Sequence, residues 1–144
     1  MNLLFFICVI GYLNILEAKF FKWKSVNIYG KLYCNGRFYN NAVIYFKYKN
    51  RFRKSVFVSQ SRSRNLGIVS FTGKFKKFFS RYPYMEIYHK CNVAKRRWEI
   101  KVTKFIPKIY ITYGKYPKTT FNFGYLELNK RYPNQQRVFN RKII

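Results

Sequence analysis

The feature that most constrains this chain is a two-residue alternation of apolar side chains, repeated in short runs separated by turn-forming residues. Apolar positions that return every second residue can all be buried on one face of a pleated strand. A helix would need them at intervals of three and four. Over residues 26–34, Val26, Ile28, Gly30, Leu32 and Cys34 alternate with Asn27, Tyr29, Lys31 and Tyr33, and Cys34-Asn35-Gly36 supplies a turn. Ala42, Ile44, Phe46 and Tyr48 define a second inner face, with Lys47 and Lys49 pointing out. Shorter strands are predicted at 55–59 and 68–71, with the polar stretch 60–65 between them. Met85, Ile87, His89 and Cys91 share one face of 84–91, and Trp98, Ile100 and Val102 repeat the pattern. In the last run, 120–128, Phe121 and Phe123 are followed by Leu126 and Leu128. The phase slips at Gly124, which predicts a β-bulge. Seven short strands in 144 residues predict a single all-β domain, an antiparallel Greek-key β-sandwich.

The N-terminus breaks this pattern. Leu3 to Ile10 form an apolar run that continues to Leu16, and Ala18 offers a small residue for cleavage. Such a run is shorter than the roughly 20 apolar residues that span a bilayer, and reads as a signal peptide over residues 1–18. The expected mature domain is then 19–144 and the expected location is outside the cell. Only Glu17 among the charges is lost with the leader, leaving 30 basic against 3 acidic residues, a formal +27. No Asn-x-Ser/Thr sequon occurs.

That charge is the main functional signal. A solvated surface ordinarily mixes both signs, whereas a nearly acid-free one attracts polyanions and anionic lipid surfaces. Between Phe46 and Lys54, the cations Lys47, Lys49, Arg51 and Arg53 recur at period two. If the strand continues that far, they form a ladder on one face and a candidate anion-binding patch. Lys74, Lys76 and Lys77 follow a glycine, and Lys95-Arg96-Arg97 precede Trp98. Cations interleaved with aromatics can hold phosphates or sulfates by releasing counterions. The competing reading is that these charges keep an aromatic-rich sandwich soluble and its edges unpaired.

Of the three cysteines, Cys8 lies in the leader, leaving Cys34 and Cys91. Both fall on the inner register of predicted strands, so a disulfide across the core is geometrically reasonable, and secretion favours oxidation. Two buried free thiols are the alternative. His89 is the only histidine, and with two distant cysteines and no close carboxylate cluster the composition supports no metal site. His89 reads as a satisfied strand residue. A Cys91–His89 nucleophile pair would lack an orienting third group.

Val26-Asn27-Ile28-Tyr29-Gly30-Lys31-Leu32-Tyr33-Cys34 and Pro83-Tyr84 through Ile87-Tyr88-His89-Lys90-Cys91-Asn92 are similar, in turn, to the opening strand and to the proline-tyrosine, histidine and cysteine-asparagine signature of the transthyretin-like family of secreted nematode proteins. Gly114-Lys115-Tyr116-Pro117-Lys118, Phe123-Gly124-Tyr125-Leu126-Glu127-Leu128 and Tyr132-Pro133 follow in the family's order, so the resemblance covers about 26–137. It implies a transthyretin-type β-sandwich and extracellular residence. Where the family commonly carries acids, this chain has Arg64, Lys90 and the segment Asn134-Gln135-Gln136-Arg137, which weakens any acidic ligand site and favours an anionic partner. Transthyretin-fold hydroxyisourate hydrolases use several histidines and a tyrosine-arginine-glycine-serine tail. This chain has one histidine and ends Arg141-Lys142-Ile143-Ile144, so a non-enzymatic protein without a cofactor is expected.

Three function classes follow. The first is a secreted binding module for a glycosaminoglycan, an anionic phospholipid or an acidic protein, with nucleic acid disfavoured by secretion. The second is a carrier of a small apolar ligand, by analogy with transthyretin. The third is a cationic membrane-active defence or effector protein.

Overall fold

The computed structural model describes residues 3–20, 23–76 and 80–141. The chain opens with α1 (Leu3–Phe20), whose residues 3–14 are exposed and take no part in either hydrophobic cluster of the domain. Among the described residues, no helix is long and apolar enough to cross a membrane. Ten strands follow: β1 (Trp23–Cys34), β2 (Arg37–Phe38), β3 (Val43–Asn50), β4 (Ser55–Arg62), β5 (Ile68–Lys76), β6 (Ser80–His89), β7 (Trp98–Phe105), β8 (Thr112–Tyr113), β9 (Thr120–Glu127) and β10 (Gln135–Phe139).

They form two five-stranded sheets. In the first, β1 is central: β5 and the short β2 pair along one side, β8 and β9 along the other. The second runs β10-β7-β6-β3-β4, every neighbour antiparallel. The all-β sandwich expected from the alternation is what forms, with one difference in strand direction: β9 runs parallel to β1, Asn27 opposite Thr120 and Leu32 opposite Leu126. Alternation specifies which face is buried and is silent about the direction of a partner.

The core lies between the inner faces. Val26, Ile28 and Leu32 of β1 and Val69 and Phe75 of β5 meet Ile44 and Phe46 of β3, Met85 and Ile87 of β6 and Val102 of β7. These are the period-two positions of the sequence, which is why the strands twist together without exposing an apolar row. Two glycines make room for aromatic rings, one within the first sheet and one between the sheets. A Cβ at Gly30 would meet the Phe123 ring and one at Gly73 the Phe46 ring, so both strands need a bare backbone there. The phase slip lies at Gly124, at φ 72°, and the β1–β9 register shifts between Tyr29 and Lys31. After it, Leu126 and Leu128 regain the core.

The second sheet also has a largely buried outer face. Val43, Tyr45 and Tyr88 are buried there with Val138 packed against them. Strand β10 pairs along β7 at this sheet's edge, and beyond it Arg141 lies over the Tyr45 and Tyr88 rings at 5.2 and 4.9 Å.

Candidate functional site

The disulfide Cys34–Cys91 is present, with Cα atoms 5.8 Å apart and a sequence separation of 57. It ties the end of β1 to the residues just after β6, across the sandwich. An amide cluster surrounds it. Asn35 and Asn92 both adopt positive φ, and Asn35 Nδ2 donates to Asn92 Oδ1 at 2.8 Å. Asn129 Nδ2 donates to Asn35 Oδ1 at 3.1 Å. Next to the bridge, His89 is buried. Its Nδ1 accepts the Cys91 N–H at 3.2 Å, and its Nε2 has no hydrogen-bond partner among the described residues. Burial holds its pKa down at about 4, so the ring is neutral and Nδ1 keeps the lone pair that accepts this bond.

The four cations of the expected ladder are not brought together. Strand β3 ends at Asn50, and residues 51–53 form the hairpin tip, so the period-two register stops after Lys49. Asn50 ends the strand: its Oδ1 accepts the Phe52 and Lys54 N–H groups at 3.0 and 2.9 Å, and Arg53 sits at φ 59°. Arg51 and Arg53 are exposed at the tip, while Lys49 is half-buried on the sheet. Lys47 is committed, its Nζ lying 2.7 Å from Glu86 Oε2 and 5.5 Å from the Tyr45 ring centroid. Period-two spacing was a sound cue for a strand face, but a short polar side chain that caps its own turn ends the strand locally. Of the other basic stretches, Lys77 lies outside the described residues, as do the tail residues 142–144.

Each of the three carboxylates beyond the helix is engaged inside the molecule. Glu86, buried on the outer face of the second sheet, takes Lys47 at 2.7 Å, Lys101 at 3.7 Å and the Tyr88 hydroxyl at 2.8 Å. Burial, then the bond to Glu86, push the Tyr88 hydroxyl pKa well up. Glu99 accepts from Arg141 Nε at 2.8 Å, and the same guanidinium donates to the Tyr45 hydroxyl at 2.9 Å. Glu127 accepts the backbone N–H groups of Asn35 and Gly36 at 2.9 and 3.0 Å. Burial alone would raise its pKa; these N–H groups, that of Asn129 and the charge of Lys130 outweigh it and lower the carboxyl.

The outer face of the first sheet presents a different surface. Pleating turns Trp23, Asn27, Tyr29, Lys31 and Tyr33 of β1 outward, opposite the buried Val26, Ile28 and Leu32. At one end, Lys76 and Lys115 hold their Nζ atoms 5.7 and 5.8 Å from the Trp23 ring centroid, and Lys74 lies 5.2 Å from that of Tyr116. The Gly114 N–H, donating to the Trp23 carbonyl at 2.7 Å, brings Lys115 and Tyr116 to this end. At the other end, Lys31 lies 5.9 Å from the Tyr125 ring, and Tyr33 packs between Tyr125 and Phe38 at 5.6 and 5.1 Å. Between the ends the face carries hydroxyls and amides: Asn27 bonded to Thr72 at 2.6 Å, then Ser70, Thr120 and Asn122. Lys74 and Lys76 stand out in the sequence, but their partners Tyr116 and Trp23 come from segments some 40 to 55 positions away. The recoverable signal for Trp23 is parity: it falls on the same alternate positions as the outward Tyr29 and Tyr33.

A protein-family comparison matches residues 29–112 to the model described as "Transthyretin-like family". Among curated proteins, Transthyretin-like protein 33 of Caenorhabditis elegans is 27% identical over 135 residues, covering 93% of this chain and 90% of that one. Transthyretin-like protein 46 of the same organism is 29% identical over 134 residues, covering 92% of this chain and 74% of that one. Among solved structures, a 9R-lipoxygenase of Cyanothece aligns at 12% identity and a TM-score of 0.40, over 72% of this chain and 16% of that one. The sandwich, its disulfide and the extent of the family match agree: the chain belongs to the transthyretin-like family.

Proposed function

We propose that this protein is secreted after removal of residues 1–18 and acts outside the cell as a non-enzymatic binding module for an anionic partner, held through its basic surface. The observation that carries this reading is the commitment of Glu86, Glu99 and Glu127 to internal contacts. Three acids against 30 cations cannot neutralise the surface, and all three are already used to hold strands and a turn. The remaining positive charge concentrates anionic ligands and accelerates their encounter. The Cys34–Cys91 bridge supports an oxidising compartment, and the single buried histidine supports a binding role over acid–base chemistry.

The test is binding of the purified, disulfide-bonded protein to immobilised heparin and to vesicles containing anionic phospholipid, each over a range of salt. Affinity that falls linearly on a log–log plot with salt is expected. Absence of binding to any polyanion at physiological salt overturns the reading. Intact mass of the protein recovered from medium should correspond to a chain beginning near Lys19, and retention of Met1 refutes the leader.

A further inference from the structure

Resting on that reading, we infer that the ligand site is the outer face of the β1-centred sheet, and that its occupant is an extended sulfated polysaccharide. The two outer faces of the sandwich are not equivalent. On the β6-centred sheet, Glu86 and Glu99 compensate Lys47, Lys101 and Arg141, and Tyr45 and Tyr88 are buried. The acids of that face thus hold three of its cations in internal contacts. On the β1-centred sheet the strands present cations and rings, and the acid in β9, Glu127, is turned to the Asn35–Gly36 turn.

The chemistry of the β1 face varies along its length. Positive charge on aromatic rings occupies both ends, and neutral hydroxyls and amides, with the Tyr29 phenol among them, fill the middle. From Trp23 to Tyr33 the strand runs about 33 Å, so the two ends together suit a long linear polymer better than a single small anion. Each class of group has a counterpart in such a polymer. Lysines held over rings meet sulfates, the exposed ring faces of Tyr116 (79% exposed) and Tyr125 (74% exposed) meet the C–H faces of sugars, and Asn27, Ser70, Thr72 and Asn122 meet sugar hydroxyls. A lysine already parked on a ring also loses less side-chain freedom when an anion arrives.

The same features weigh against the other polyanions. A lipid surface calls for apolar side chains that can enter it, and the middle of this face has hydroxyls and amides instead. Single-stranded nucleic acid would also use rings and cations. The disulfide, however, places the folded protein where thiols are oxidised, away from the usual cellular nucleic acid.

The experiment compares heparin-derived oligosaccharides with their desulfated counterparts, a single-stranded DNA oligonucleotide and anionic vesicles, using wild type and three variants. Lys74→Gln/Lys115→Gln removes two charges from the face, and Arg51→Gln/Arg53→Gln removes two from the hairpin tip. Tyr125→Ser removes an exposed ring without changing charge. For heparin oligosaccharide we expect the first pair to weaken binding about tenfold with a shallower salt slope, and the hairpin pair to change affinity less than about twofold. Tyr125→Ser should weaken binding about threefold at an unchanged salt slope. Binding should quench Trp23 fluorescence more than that of Trp98. Equal losses from the two charge pairs overturn the site while leaving anion binding in place. Tighter binding to vesicles or to DNA than to heparin overturns the polysaccharide assignment and not the anionic reading. Loss of all polyanion binding by wild type removes both. Circular dichroism and melting of each variant separate loss of the ligand from loss of the fold.

Discussion

Burial sets the charge of His89. Its folded-state pKa of about 4 lies below the ordinary value of 6.5 because burial disfavours the charged ring. The unfolded chain therefore takes up a proton near pH 6.5 and the folded one only near pH 4. Stability contributed by the neutral ring is present above pH 6.5 and is lost as pH falls from there to about 4. The loss should total about 3 kcal/mol, read from urea melts across that range. His89→Asn, which retains an acceptor for the Cys91 N–H, should flatten the acid limb. A second residue prediction concerns Glu86. Glu86→Gln leaves Lys47 and Lys101 facing each other on a half-buried surface and should destabilise by about 1–3 kcal/mol in denaturant melts. At this scale the sequence was informative about inward-facing residues. Both cysteines and His89 sat on period-two positions, and the structure buries His89 and Cys91 and joins the cysteines. It was uninformative about Glu86, because burial on the outer face depends on what lies across it.

Strands long enough to alternate were legible, and the short ones were not. Two-residue β2 and β8 have no period to detect, and β10 lies in Gln135–Phe139, where Gln and Arg outnumber apolar residues. Strand β10 pairs along the edge of β7 and contributes Val138 to the outer cluster. The strand carrying Lys47 and Lys49 stops short of Arg51 and Arg53 for an equally local reason, the Asn50 side chain that closes the hairpin. Glycines in the interior of strands look like weaknesses in a sequence, yet Gly73 lets the Phe46 ring of the facing sheet pack against β5 and Gly30 makes room for the Phe123 ring of neighbouring β9. Gly73→Ala should force the Phe46 ring from its place and cost about 1–3 kcal/mol, visible as a lower melting temperature with little change in circular dichroism. Equal stability of the variant would mean that the ring has room to shift.

For the whole molecule, the disulfide and the position of β1 matter most. Replacing both Cys34 and Cys91 by Ala should lower stability by about 2–5 kcal/mol in denaturant melts, since the bridge closes a long loop. Both cysteines are synthesised before residue 120, so this closure can precede completion of the sheet. Strand β1 is the first of the chain and the centre of its sheet, and its parallel partner β9 is nearly the last, with Asn27 paired to Thr120. Such remote pairings form slowly because loop closure has to precede them. A ribosome that has delivered β1 through β7 therefore holds a nascent chain whose central strand has one bare hydrogen-bonding edge. That edge can accept a strand from a neighbouring nascent chain until β9 emerges. Early oxidation would limit this exchange by anchoring the end of β1 against β6, so reducing conditions during synthesis should increase insoluble product beyond what the same reduction causes when applied to the finished, folded protein.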